Sequence, residues 1–353
     1  MLDIFFDIFF RIKFNILALF ILFYISLFFF RVLNKKNFLK KYKSLQRSHS
    51  GEIPRFGGLI IYFFLIFTNI VIIKSDLIFY ICISSIPLII ISLKEDLFQN
   101  TDVISRIISM IVSIIIFFLF DNTTFPEINI HGIQIILNNY PFAILFFCFS
   151  VLVIINGMNL IDGLNGLLSL NLLCQLIVLY YLSYKFSDVT FQIIFSLLII
   201  IIFTFLIFNF PSGKFFLGDL GAYFLAFIIS ILIIKLFGKY NEILSWNAIL
   251  ILFYPSFELL FSFIRKIFYL KKNPFSADHD HLHSLIYKYN LKSNENSKKA
   301  NNFSTIFLTI FWSSPLYTIF FYESLLLIFF VILILSITYI FSYLFFLNKL
   351  KTK

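Results

Sequence analysis

The sequence predicts an all-α integral membrane protein, a bundle of about eleven transmembrane helices (ten or eleven) around a cytoplasmic-facing cleft, and three observations carry that expectation. Of 353 residues, 60% are hydrophobic and only 13% charged, with a mean hydropathy of +0.96; that composition excludes an ordinary water-soluble core. Stretches of roughly 17 to 24 residues nearly free of charge recur along the chain, each long enough to cross about 30 Å of hydrocarbon at 1.5 Å per residue. Runs such as Phe191 to Phe208 are apolar on nearly every face, whereas a membrane barrel would alternate polarity over about ten residues.

The expected spans cover 14–30, 57–73, 77–93, 103–120, 140–156, 164–184, 190–208, 216–237, 247–264, 303–321 and 324–347. The first is read as a retained helix, because Asp3 and Asp7 precede it and no small-residue cleavage site comes before Arg31. With the N-terminus outside, 22 of the 28 Lys and Arg fall on the inner side, so the positive-inside rule places the C-terminus in the cytoplasm. The same bias accounts for the net charge of +10 through attraction to anionic headgroups, with no nucleic-acid partner needed. The external loop Asp121 to Tyr140 is long enough for a small hairpin. Cys82, Cys148 and Cys174 all lie inside apolar spans without ligand-like spacing, which argues against disulfides and structural zinc. Phe contributes 53 residues, a bias among equivalent lipid-facing side chains from which no function is drawn. No internal repeat supports a transporter of the inverted-repeat kind.

Five segments hold nearly all the functional-looking residues, and every one falls on the cytoplasmic side. The first runs from Arg47 to Gly58 and contains His49 and Arg55. The second is Lys94-Glu95-Asp96, where adjacent carboxylates at a membrane boundary call for a cation beside them. In the third, Asn156 to Gly166, the residues Asn159, Asp162 and Asn165 recur at i, i+3 and i+6, so a continued helix would align them on one face. The fourth, Asn209 to Asp219, places Asp219 just inside a new helix, where it suits an oxygen ligand for Mg²⁺. The fifth, Asp278-His-Asp-His-Leu-His283, follows Arg265 and Lys266 and suits anion binding better than zinc. Glu258, seven residues before Arg265, shares its helix face and is expected to hold it.

Taken together, the strings "NLIDGLNG", "FLGD" and "PFSADHDHLH" resemble the membrane family that transfers a sugar 1-phosphate from a UDP-sugar to a polyprenyl phosphate. The match extends from about Arg47 to His283 in the family's order, and the last string is more similar to the enzymes using UDP-N-acetylhexosamines than to the phospho-MurNAc-pentapeptide transferase. Departures from the family pattern are Glu95 in the Glu95-Asp96 pair, Asn165, and Ser284 at the end of the His cluster.

The resemblance implies one polytopic domain with catalytic loops at about 31–56, 94–102, 157–163, 209–215 and 265–302, in a bacterial inner membrane. It implies Mg²⁺, with Mn²⁺ as a substitute, held by Asp219, and catalytic roles for Asp96, Glu95 and Asp219. Asp96 would act near the lipid phosphate as a base. Asp162 and Asn209 would line the nucleotide pocket, with Asn159, Asn165, His49 and Arg55 as further binding residues, and His281, His283 and Arg265 would hold phosphates. The expected partners are a UDP-N-acetylhexosamine, undecaprenyl phosphate, the bilayer and a second copy of the chain. The phospho-MurNAc-pentapeptide transferase and, from another class, a multispan transporter are the alternatives.

Overall fold

A computed structural model of the chain describes residues 55–273, 280–293 and 296–351, with residues 53 and 278 and eight positions between 17 and 28. Those eight positions of the first expected span are helical, and among the described residues every regular element is a helix. His49 lies outside the described residues.

Helix α1 (Gly57–Thr68) continues into a π-helical turn, Asn69–Ile73. The Asn69 side chain ends it, accepting from Ser75 N–H at 3.0 Å and donating to the Ser75 carbonyl at 3.1 Å. Helices α2 (Asp76–Ser84) and α3 (Ile86–Phe98) occupy the expected 77–93 span but meet at a bend of 49°. Pro87 has no N–H to continue the ladder, and the next amide, Leu88, donates instead to Ser113 Oγ of a neighbouring helix at 3.1 Å. That neighbour is α4 (Val103–Phe120), whose start is capped by Asp102 accepting from Ser105 N–H at 2.9 Å.

The segment between 121 and 140 forms a short helix, α5 (His131–Leu137), and not the hairpin expected there. Gln134 stabilises it by accepting from Ile128 N–H and donating to Asn138 Oδ1, each at 2.9 Å. Four long helices follow: α6 (Tyr140–Ile161), α7 (Leu167–Lys185), α8 (Val189–Asn209) and α9 (Gly218–Lys239).

The expected 247–264 span divides at Leu252 into α10 (Asn247–Ile251) and α11 (Phe253–Ile264), because Pro255 cannot donate to the preceding turn. A π-helical turn, Arg265–Tyr269, closes it. Helices α12 (Leu282–Ser293) and α13 (Ser297–Phe307) come next. The expected 303–321 span is likewise interrupted around Pro315, giving α14 (Thr309–Trp312), a 3₁₀ turn and α15 (Thr318–Phe321) before the final α16 (Leu325–Lys351). Among the described residues, six helices are long and apolar enough to cross a membrane, or seven if the bent α2–α3 pair is one span, and most of the first expected span, 14–30, lies outside the described residues. The protein is a multipass, all-helical membrane protein.

Helix α9 is the axis of the bundle: 94% of its apolar stretch is buried, against 17% for α16. Its position depends on a close backbone approach. A Cβ on Gly58 would overlap the backbone of Gly221, and one on Gly221 would meet Gly58 Cα at 2.8 Å, so α1 and α9 touch where neither carries a side chain. Gly57 and Gly58 N–H also donate to the carbonyls of Phe216 (3.1 Å) and Leu217 (2.9 Å). Gly221→Val is therefore expected to cost about 3 kcal/mol, the upper end of the overpacking range, since backbone cannot yield as a side chain can. Loss of monodisperse protein on size exclusion in detergent checks this.

Candidate active site

The site is assembled from helix ends. Because successive long helices alternate in direction, the end of α3, the start of α4, the end of α6 and the start of α9 lie at the same end of the bundle, with Arg55 entering just before α1. The carboxylate of Asp96, in the last turn of α3, accepts from the N–H of Asp219 at 2.9 Å and of Leu220 at 3.0 Å. It thus closes two of the four N–H groups that the first turn of α9 leaves open, and its charge sits at the positive end of that helix. Gly218 makes this possible: its φ is +75°, and a Cβ there would meet the Arg55 carbonyl and the Asp96 carboxylate at 2.6 Å.

Asp219, directed out of this capped turn, has Asn159 Nδ2 at 3.5 Å from one oxygen and Arg106 Nη1 at 3.9 Å from the other. Asp162 and Glu95 add their charges to the same region, and the Arg55 guanidinium acts on Asp96, Asp162 and Asp219 together. Burial, with the charges of Asp219 and Asp96, holds the Asp162 carboxyl well above the ordinary carboxylate range, against the opposing pull of Arg55. Glu95 is held by Thr101, which donates to Oε2 from its N–H at 3.0 Å and its hydroxyl at 2.5 Å.

The polar stripe expected on one helix is instead a helix end and a turn. Helix α6 stops at Ile161, Asp162 follows it, and Gly166 with φ +77° turns the chain into α7. Asn159 and Asp162 reach the acidic site, whereas Asn165 and Asn209 hold the turn behind it. Asn165 N–H donates to Asn301 Oδ1 at 2.9 Å, and its carbonyl accepts from Thr305 Oγ1 at 2.8 Å. Asn209 accepts from Gly166 N–H at 2.5 Å and donates to the Phe215 carbonyl at 2.7 Å.

The His segment packs behind the same turn, where a Cβ on Gly163 would overlap His283 Nε2. His283 is 4% exposed, and burial, aided by His281 and opposed by Glu258, lowers its pKa to about 4, so its ring is neutral at physiological pH. Arg265 pairs with Asp278 and donates from Nη1 to the Tyr343 hydroxyl at 2.6 Å. Glu258 does not hold Arg265, contrary to expectation. Two helical turns put them on one face but about 10 Å apart along the axis, and Glu258 lies against His281 instead, at 3.1 Å.

Residues 78–237, which include Asp96, Asp162 and Asp219, match the model of Glycosyl transferase family 4. Over those residues the chain is similar to that family. Among its curated relatives is the undecaprenyl-phosphate alpha-N-acetylglucosaminyl 1-phosphate transferase of Thermotoga maritima, 29% identical over 280 residues that cover 79% of each chain. The protein of the same name from Escherichia coli K12 is 26% identical over 297 residues, covering 80% of this chain and 78% of the relative. The phospho-N-acetylmuramoyl-pentapeptide-transferase of Dictyoglomus thermophilum is 30% identical over 166 residues, but these cover 44% of this chain and 52% of the relative.

The charges suit a divalent cation. Among the described residues, Arg55 and Arg106 are the leading positive charges acting on Asp96, Asp162 and Asp219, beside which Glu95 adds a further negative charge. Among the described residues no three His, Cys, Asp or Glu side chains form a ready-made metal centre. That is compatible with Mg²⁺, which binds through one or two carboxylates and completes its shell with phosphate and water. Sequence reasoning on this transferase missed Arg106, which was counted only toward topology. Its signal was a charge inside an otherwise apolar span, which marks function more often than lipid contact.

Proposed function

We propose that this protein is a family 4 glycosyl transferase that moves an N-acetylhexosamine 1-phosphate, most simply GlcNAc 1-phosphate, from a UDP-sugar to undecaprenyl phosphate at the cytoplasmic side of a bacterial inner membrane. The observation that carries the reading is the acidic cluster at the N-terminus of α9, with Asp96 capping the helix and Asp219 projecting beside Asn159, Arg55 and Arg106. The agreement in name of the relatives that align over about four fifths of the chain favours GlcNAc over the pentapeptide-bearing sugar. The inner-side assignment is supported by the 22 Lys and Arg at that end of the topology.

Moving a phosphoryl group between two polyanions is a problem of charge neutralisation and alignment. An oxygen of the lipid phosphate attacks the β-phosphorus of the donor. A new P–O bond forms, the β-phosphorus bond to the bridging oxygen breaks, and UMP leaves with the electron pair. A phosphate monoester has its second pKa near about 6, so the nucleophile arrives largely ionised and requires no general base. That fits Asp96, whose two oxygens are committed to α9 amides. In this scheme Asp96 positions Asp219, while Arg55 and Arg106 neutralise phosphate charge. Mg²⁺ held by Asp219 would supply further neutralisation of the donor diphosphate. The apolar bundle dissolves the isoprenoid tail of the acceptor, and the polar end meets the soluble nucleotide.

The test is acceptor-dependent UMP release by detergent-purified protein given Mg²⁺, undecaprenyl phosphate and a panel of UDP-sugars, with the lipid product identified by mass. UMP and polyprenyl-diphosphate-GlcNAc are the expected products; UMP only from UDP-MurNAc-pentapeptide would move the assignment to the other branch. A radiolabelled enzyme–phosphosugar adduct trapped without lipid would overturn direct attack.

A further inference from the structure

Glu258 takes no part in the acidic cluster, yet it is a carboxylate only 1% exposed within α11. A buried charge is retained only with partners, and its two nearest hydrogen-bonding partners belong to the His segment. His281 Nδ1 lies 3.1 Å from Oε1. An ionised carboxylate only accepts hydrogen bonds, so the proton of that contact belongs to the imidazole. The same oxygen accepts from the N–H of Leu282, the first residue of α12, at 3.3 Å, so one carboxylate fixes both the ring and the start of the helix that carries it. Tyr254 and Tyr339, both fully buried, bring their hydroxyl groups under the influence of this carboxylate.

His281 is also joined to the turn that carries Asp162: its ring is parallel to that of His283, within 4° and 5.7 Å between centroids, and His283 Nε2 lies against Gly163, the residue after Asp162. With Nδ1 committed to Glu258, Nε2 is the nitrogen left to a ligand, and it makes no hydrogen bond among the described residues. When the ring is doubly protonated, Nε2–H donates to a phosphate oxygen. Which way it points is decided by the partner on Nδ1, as it is for imidazoles held by a carboxylate behind them.

We propose that Glu258 is a positioning residue that, through His281 Nδ1, aims His281 Nε2 at a phosphate of the nucleotide-sugar donor. The proposal rests on the reading of this end of the bundle as the donor site. It gives Glu258 a role through the imidazole and none in contact with substrate.

The experiment is a double-mutant cycle with Glu258→Gln, His281→Asn and the double variant. Donor kcat and KM come from UMP release, and folded protein is counted by size exclusion. Glu258→Gln keeps the shape and one acceptor oxygen but loses the charge. It is expected to lower kcat/KM for the UDP-sugar by about 10- to 100-fold, chiefly through KM, with the KM for undecaprenyl phosphate unmoved. The double variant is expected to be no worse than His281→Asn alone, because both changes cut the same link. A merely structural role would reduce the folded fraction and leave the kinetics of the remainder unchanged. Additive losses, or a Glu258→Gln protein with wild-type donor KM beside an impaired His281→Asn, would overturn the proposal while leaving the transferase reading in place. Full activity in His281→Asn would remove the His segment from the donor site altogether, and the proposal with it. If Glu258→Gln gives no folded protein, Glu258→Asp, which withdraws the carboxylate from Nδ1 but retains its charge, is judged by the same criteria.

Discussion

Asp219→Asn is expected to reduce acceptor-dependent UMP release by on the order of 10³-fold or more, the scale on which loss of a charge-organising group acts in phosphoryl transfer. The substitution is nearly isosteric, and the amide can still meet Asn159, so thermal stability in detergent should stay close to that of the parent. What disappears is the carboxylate that faces Arg106 and stands at the centre of the acidic cluster. Because Mg²⁺ would neutralise that same carboxylate, a second consequence follows: the gain in thermal stability on adding Mg²⁺ to the parent protein should shrink in the variant. Retained UMP release in a folded Asp219→Asn protein would remove Asp219 from the chemistry.

Asp96→Ala should be the next most damaging change, with a loss on the order of 10²-fold, as when a group that orients a catalytic residue is removed, plus about 1 to 2 kcal/mol of stability from uncapping a buried helix start. Two N–H groups, those of Asp219 and Leu220, would lose their acceptors in one step. Asp96→Asn separates positioning from proton transfer. Its side-chain oxygen can still accept one of the two bonds, so a positioning role predicts clearly more activity than in the Ala variant. A general base would be lost equally in both. Parallel rate measurements on the two variants, with melting temperatures, decide between them.

Much of this site was legible in the sequence because polar residues in an apolar chain have few reasons to exist. Asp96, Asn159, Asp162 and Asp219 stand at the ends of hydrophobic runs, and spans of known length place those ends on one side. What the one-dimensional pattern could not show is which polar groups serve ligands and which serve the backbone. Asn209 also ties the turn at Gly166 to the Phe215 carbonyl through its side chain, whereas at Asn165 it is the main chain that bonds the turn to Asn301 and Thr305. The helix-face argument for Asn159, Asp162 and Asn165 does not hold because the helix ends at Ile161 and the chain turns through Gly166 into the next one, and a 3.6-residue period has no meaning across a turn. Breaks inside the expected spans are not legible in the sequence, because hydropathy averages over Pro87, Pro255 and Pro315, while the hydrogen-bond ladder does not. Glu258 was recognised as an intramembrane acid with a basic partner, but the nearest base in sequence was chosen over the nearest in space, His281, which returns from a loop 23 residues later.

The enclosure of α9 bears on how the protein responds to the bilayer around it. A helix exposed to lipid tilts or shifts when membrane thickness changes, and α16, mostly exposed, must follow such changes. Helix α9 meets almost no lipid, so hydrophobic mismatch reaches it only through its neighbours, and Asp219 is mounted on its first turn. Fluctuations in membrane thickness and composition are thus absorbed at the periphery, and the depth of the acidic cluster is set by protein packing instead of by the lipid in which the acceptor arrives.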